Sequence, residues 1–353
     1  MPERVYLDWN ATAPLRSEAR QAMIGAMDVL GNPSSVHAEG RAAKALLEAA
    51  RAQVAAALGA DGADVVFTSG ATEAAALALA GRGLSGAAVE HDAVKAWAAQ
   101  DLAVDTAGRV CVPRAAQATV QMANSETGVV QVLPEGLAVS DLTQAFGKVP
   151  LSFAWLGIDI GFVSAHKIGG PKGVGALVLR PGTEIAARIK GGGQEMGRRS
   201  GTENVVGIAG FGAAAEAAVR DLSEGVWDRV AEIRSILEIS LDPGEKDIIL
   251  VGQDSDRLPN TTCLAVRSGG GAIWKGETQV MQLDLAGFAI SAGSACSSGK
   301  ARSSGVLEAM GYAPEVAASA IRVSLGPTTR EEDVLRFAEV WRARLAKFRA
   351  RAA

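Results

Sequence analysis

The chain has 353 residues, and 48% of them are apolar, which is material enough for a large core and for two domains. A formal net charge of −4 gives no sign of a surface for nucleic acid or an anionic membrane, though it leaves room for a local basic patch, and no apolar run reaches membrane-spanning length. The three cysteines and three histidines show no paired spacing for disulfides or a metal, and the first residues lack a signal-peptide pattern; a reducing cytoplasm fits both observations.

In chain order, residues 41–58 are alanine-rich, with Leu and Val at helical spacing, and predict a helix. Residues 64–67 read as a short buried strand that runs straight into Ser69-Gly70-Ala71-Thr72-Glu73 and a second Ala/Leu helix. Further strands are predicted over 119–123, 158–165 and 174–179, with a helix-like stretch after Asp141 and a long helix over 205–222. Strands alternating with helices indicate an α/β fold with a mainly parallel central sheet. Beyond Ser223 the texture changes to a helix at 227–237, strands at 247–251 and 262–266, a helix at 279–284, a cysteine-bearing loop and a helix from Glu331. The expected division is a large domain over 14–223 and a smaller α+β domain made of 1–13 and 224–353, which carries that loop.

Four local patterns carry chemistry. Lys167 stands where an apolar strand meets a glycine-rich turn, Ile168-Gly169-Gly170-Pro171-Lys172-Gly173. There its amine can form a Schiff base with an aldehyde, while a surface lysine before a turn is the plainer reading. Asp141 and Gln144 lie upstream; a carboxylate can keep a pyridinium nitrogen protonated, and an amide can donate to a ring oxygen, although Asp141 would equally serve as a helix cap. Ser69 to Glu73 forms a strand-to-helix turn whose free N–H groups suit a phosphate, with Ala71 and Thr72 as candidates, or else a simple capping box. Cys296 sits among Gly and Ser in Gly293-Ser294-Ala295-Cys296-Ser297-Ser298-Gly299, the setting of a mobile, reachable thiol. Cys111 and Cys263, in apolar surroundings, read as packing residues.

The order of these and further stretches resembles the NifS-like cysteine desulfurases of the class V aminotransferase group. The resembling stretches include Tyr6-Leu7-Asp8, Asn32-Pro33-Ser34-Ser35-Val36-His37, Glu90-His91-Asp92, Asn124 to Gly128, Arg199 to Asn204, and Ile321-Arg322-Val323-Ser324. The resemblance spans nearly the whole chain and implies the pyridoxal-phosphate-dependent transferase fold of type I. It implies that Lys167 holds pyridoxal 5'-phosphate and that His91 stacks on its ring and assists proton transfer. Asp141 would pair with the ring nitrogen and Gln144 with the ring hydroxyl. Ala71, Thr72, Ser164 and His166 would hold the phosphate. Thr202 would reach the site of a neighbouring subunit in a homodimer. Asn32 and Arg322 would face the substrate, and no metal is implied. The implied reaction turns L-cysteine into L-alanine and leaves a persulfide on Cys296, from which sulfur passes to an acceptor protein for iron–sulfur or related cofactors.

Two departures stand out. Ser125 occupies the position of a second asparagine that contacts the cofactor ring hydroxyl in the family. The stretches between His91 and Ser125 and between Gln131 and Asp141 are also short. Residues 132–140 leave no room for a crossover helix, but eight extended residues reach roughly 26 Å, beyond the roughly 17 Å of a five-residue strand. The crossing is therefore expected to be extended and to expose apolar sheet surface. Competing readings are a selenocysteine lyase or aminotransferase of the same fold, and a non-catalytic, partner-binding paralogue.

Overall fold

A computed structural model describes residues 4–242, 244–267, 271–293 and 303–352. Four strands of the central sheet lie side by side in the order Asp64–Thr68, Gly175–Leu179, Ile160–Ser164 and Val139–Asp141. Gly175–Leu179 runs antiparallel to both neighbours, and Val139–Asp141 runs parallel to Ile160–Ser164. Parallel bridges Thr119↔Val139 and Ser85↔Ala118 extend the sheet to Ser85–Ala87, which pairs parallel with Ala99–Leu102. The sheet is thus mainly parallel, with one reversed strand. Its strands read as continuous apolar runs because both faces are covered. Val65, Phe67 and Val163 face a core shared with Phe211 of the helix Val205–Ser223, while Val66, Phe162 and Leu177 face Ala74 and Ala78 of the helix Ala71–Leu79.

The expected strand over 119–123 is reduced to bridges, because the chain doubles back at Ala123↔Val130 around a turn held by Asn124 Oδ1, which accepts from the N–H groups of Glu126 and Thr127 at 2.8 Å each. After Asp141 the expected helix is a run of turns: Phe146 N donates to Leu142 O at 2.9 Å, and Gly147 then turns left-handed at φ 71°. The short crossing over 132–138 contains no helix. It does not leave the sheet bare. Residues 118–123 are all buried, Leu137 is fully buried, and Leu133 and Leu156 pack on the main core. Val139 belongs to the sheet itself. Cys111 is exposed on the irregular chain after Val110, against the packing role read from its neighbours, whereas Cys263 is buried.

The C-terminal part builds a four-stranded antiparallel sheet in the order Ser291–Ala292, Ile321–Ser324, Thr261–Val266 and Ile248–Leu250. Helices Val226–Leu241 and Glu331–Ala352 pack beside it over an aromatic core, with Phe288 and Phe337 edge to face at 5.4 Å and Trp274 and Trp341 at 5.7 Å. Buried Trp341 keeps its indole N–H paired with Gln279 Oε1 at 2.9 Å. Val5–Tyr6 pairs parallel with Phe288–Ala289, and Asp8 bridges to Ser324. This entry of the chain carries residues 8–12 to the boundary between the two sheets. The main apolar core is continuous across that boundary, since Val251, Cys263 and Val306 join Phe67 and Val163 in one cluster.

Candidate active site

A cavity of about 600 Å³ opens beyond the carboxyl ends of Asp64–Thr68, Val139–Asp141 and Ile160–Ser164, where α/β sheets place their ligands. Ala71, Thr72, His91, Ser125, Asp141, Gln144, Ser164, His166, Lys167 and Arg322 all line it. Asn32 and Thr202 do not; both are exposed elsewhere on the chain. Cys296 lies outside the described residues. The described residues before and after that segment contact Arg322, which lines the cavity, and Glu126, which follows the cavity residue Ser125. Ser291 pairs in register with Arg322, and Ser304 donates to Glu126 Oε2 at 2.6 Å.

One end of the cavity is an anion seat. Gly70 sits at φ 151°, ψ 178°, a conformation open to glycine alone, and from there the helix Ala71–Leu79 starts. The first N–H groups of a helix have no partner within it and point outward. Gly175 lets the reversed strand come close behind this turn, since a side-chain carbon there would stand 2.7 Å from Gly70 Cα. Glu73 reaches back to the Ser69 N–H at 2.7 Å and is held by Arg199 at 2.8 Å, so its charge is drawn off the seat and its pKa lowered, burial opposing the hydrogen bonds from Arg199 and Ser69. Burial, reinforced by Lys167, Lys172 and Lys148, pushes His166 down to about 4, so it is neutral at pH 7. Its Nδ1 lies 3.2 Å from Thr12 Oγ1.

The other end is polar and enclosed. Lys167 Nζ donates to the carbonyls of Asn10 and Ala11 at 2.7 and 2.9 Å, which aims the amine across the cavity floor. Asp141 opens on the cavity but is enclosed by protein on its other sides. That burial raises its pKa, against the hydrogen bonds from Thr143 and the nearby His91 and Lys167. Thr143 N donates to Asp141 Oδ1 at 2.8 Å and fixes the carboxylate. His91 caps a short helix, its Nδ1 accepting from Ala93 N at 3.1 Å. Arg322, 2% exposed, donates to Asp8 Oδ1 at 2.7 Å and to the Ser125 carbonyl at 3.0 Å, with Nε unpartnered among the described residues. No hydrogen bond of the Ser125 hydroxyl is found among the described residues; the backbone of Ser125, through its carbonyl, is what the site uses.

These groups fit pyridoxal phosphate: an amine for its aldehyde, a carboxylate for its ring nitrogen, and helix N–H groups for its phosphate. The comparisons decide the family. The chain matches the aminotransferase class-V model over residues 5–95 and 85–337. It is 39% identical to a cysteine desulfurase of Cereibacter sphaeroides, covering 96% of this chain and 95% of that one. It is 35% identical to cysteine desulfurase IscS of Dictyoglomus turgidum, over 95% of this chain and 92% of the relative. The chain belongs to the cysteine desulfurases of the class V aminotransferase family. A solved NifS-like protein from Rickettsia africae superposes with a TM-score of 0.87 at 32% identity, over 97% of this chain and 99% of that one. The fold is therefore that of the pyridoxal-phosphate enzymes of type I, and pyridoxal phosphate is the cofactor.

Sequence reasoning missed a second layer beneath the cavity. Asp8 holds Arg322, and Asn10 joins Lys167, Gln144 and Lys148. Asp8 ends the resembling stretch Tyr6-Leu7-Asp8 and Asn10 stands two residues on, but no periodicity assigns either a partner. Glu90, beside His91, is buried; desolvation raises it to about 8, and its Oε2 has no hydrogen-bond partner among the described residues. Glu126, facing Ser304, is raised by burial to about 7. Lys148 follows a glycine in a turn, the commonest signature of a surface lysine, yet it is 2% exposed.

Proposed function

We propose that the protein takes sulfur from L-cysteine, releasing L-alanine and holding the sulfur as a persulfide on Cys296. The observation that carries this reading is the convergence of Lys167, Asp141, His91 and Arg322 on one cavity beside the anion seat. Pyridoxal phosphate, when bound, supplies the electron sink for charge that develops at the substrate α-carbon. The chain's own residues do the rest. Arg322 binds the substrate carboxylate, and Asp8 and the Ser125 carbonyl orient its guanidinium. Lys167 would hold the cofactor through its amine and, with that amine free, would move the substrate α-proton; the amine rests against two backbone carbonyls. Asp141 would pair with the ring nitrogen and favour its protonated form, and His91 would cover the ring and assist proton transfer. The Cys296 thiolate attacks the substrate sulfur, the carbon–sulfur bond breaks with its electron pair left on the β-carbon, and that carbon takes up a proton to give alanine. Two residues of sequence separate Cys296 from Gly293, and Ser304 beyond it in the chain donates to Glu126, which follows the cavity residue Ser125.

The likeness to relatives named cysteine desulfurase and IscS supports delivery of this sulfur to iron–sulfur or related cofactor assembly through an acceptor protein. Thr202, exposed and away from its own cavity, suits the reading of a homodimer in which it reaches the partner's phosphate seat. Among the described residues no helix is long and apolar enough to cross a membrane, and the cytoplasm is the proposed location. The test is a single-turnover reaction with L-cysteine, read as alanine formed and as sulfur mass added to the Cys296 peptide. Cys296→Ser is expected to bind the cofactor normally and to lose at least about 100-fold in alanine formation, as removal of a nucleophile does. Undiminished alanine from that variant would show that sulfur leaves by another route.

A further inference from the structure

Lys148 is the least expected side chain in the molecule. It is 2% exposed, and its two neighbours are both neutral: Nζ lies 3.0 Å from Asn10 Oδ1 and 2.6 Å from Gln144 Oε1. No ion pair of Lys148 is found among the described residues, so nothing acidic repays its burial. Desolvation, with Lys167 and Arg322 nearby, drives its pKa well below that of an ordinary lysine. A buried amine of this kind costs stability and persists where its geometry is needed.

The geometry concerns one amide. Gln144 faces the cavity with one side and Lys148 with the other. Its Nε2 donates one hydrogen to Asn10 O at 3.0 Å and keeps a second. The amide oxygen is turned down towards Lys148. Protonated or neutral, a lysine amine has at least two N–H donors, enough for Asn10 Oδ1 and Gln144 Oε1 together. Asn10 in turn cannot flip, because its Nδ2 is bound to the Ser125 carbonyl at 3.2 Å and to Thr261 Oγ1 at 2.8 Å. Lys148 is thus seated on a fixed oxygen and holds a movable one.

We propose that Lys148 is a positioning residue that locks the Gln144 amide from beneath, so that its N–H edge is presented to an acceptor oxygen of the bound cofactor. This rests on the reading of Gln144 as a cofactor contact. Without Lys148 the Gln144 oxygen is buried with no donor, and the amide turns to find one, withdrawing its N–H.

The test uses apoprotein titrated with pyridoxine 5'-phosphate, an alcohol that cannot bond covalently to Lys167, and follows tryptophan fluorescence. Lys148→Met and Gln144→Met are each expected to weaken binding about tenfold, the loss of one hydrogen bond. The double variant, which replaces the polar pair with an apolar one, is expected to bind no more weakly than Gln144→Met alone. Weaker binding in Gln144→Met with wild-type binding in Lys148→Met would overturn the proposal while leaving Gln144 as a cofactor contact. Unchanged binding in Gln144→Met would remove that contact and the proposal with it. If Lys148→Met alone does not fold, the double variant decides: binding equal to Gln144→Met supports the lock, and a further tenfold loss overturns it.

Discussion

At the ring end of the cavity, Asn10 uses every donor and acceptor it has. Its N–H goes to Ser324 Oγ, its carbonyl accepts from Gln144 and Lys167, its Oδ1 accepts from Lys148 and Asn260, and its Nδ2 donates to Ser125 and Thr261. At the proposed phosphate end, Ala71, Thr72 and Glu73 at the start of the helix Ala71–Leu79 line the cavity, and Thr72 is exposed. One end is complete within a single chain; the other is completed by what binds there. Polar groups enclosed in low dielectric must be satisfied internally, whereas open N–H groups at a helix start are solvated until an anion arrives. The ring end should therefore control stability and orientation, and the phosphate end should control ligand affinity.

That contrast gives the largest expected effect. Asn10→Ala removes four side-chain hydrogen bonds and leaves Lys148 buried with one acceptor, so it should destabilise the apoprotein by about 3 kcal/mol in urea unfolding. Thr72→Val should change apoprotein stability by no more than about 0.5 kcal/mol, yet weaken binding of pyridoxal phosphate. Equal stability losses in the two variants would break the comparison.

A smaller effect concerns pH. Glu90 has its pKa raised in the fold to about 8 by burial. The unfolded chain ionises it at about 4.3. For an acid raised in this way, the stabilising contribution is full below the unfolded pKa and is lost as pH rises through the folded one. Glu90→Gln imitates the neutral acid and removes that loss. The melting temperature of the apo variant relative to the wild type should rise between pH 5 and pH 8, by about 1–2 °C for each kcal/mol regained. A difference that does not depend on pH would mean that Glu90 is not held neutral.

The positions of Lys167 and of the Ser69–Glu73 turn at strand ends were legible from an apolar run followed by a polar or glycine break. Their chemistry and that of Asp141 came from the family resemblance, since their neighbours equally allow a surface lysine, a capping box and a helix cap. The bed beneath them was not legible. Asn10 meets partners from residues 125, 144, 148, 167, 260, 261 and 324, which only the folded chain brings together. No local spacing marks Lys148 as buried, since its enclosure comes from the amino-terminal segment arriving across the sheet boundary. The extended crossing at 132–138 was foreseen from length alone. Its burial was not, because cover by Leu133, Leu137 and Leu156 depends on tertiary packing that chain length does not encode.

Lys167 is the residue on which the account turns, and Lys148 and Lys172 lie near enough to serve as internal controls. The holoprotein should be yellow; borohydride reduction should bleach it and fix the cofactor to a single peptide. The account predicts that peptide to be the one ending the strand Ile160–Ser164 and carrying Lys167, with no label on Lys148 or Lys172 and no covalent label in Lys167→Ala. Cofactor fixed to any other lysine, or a reducible bond that survives Lys167→Ala, would contradict it.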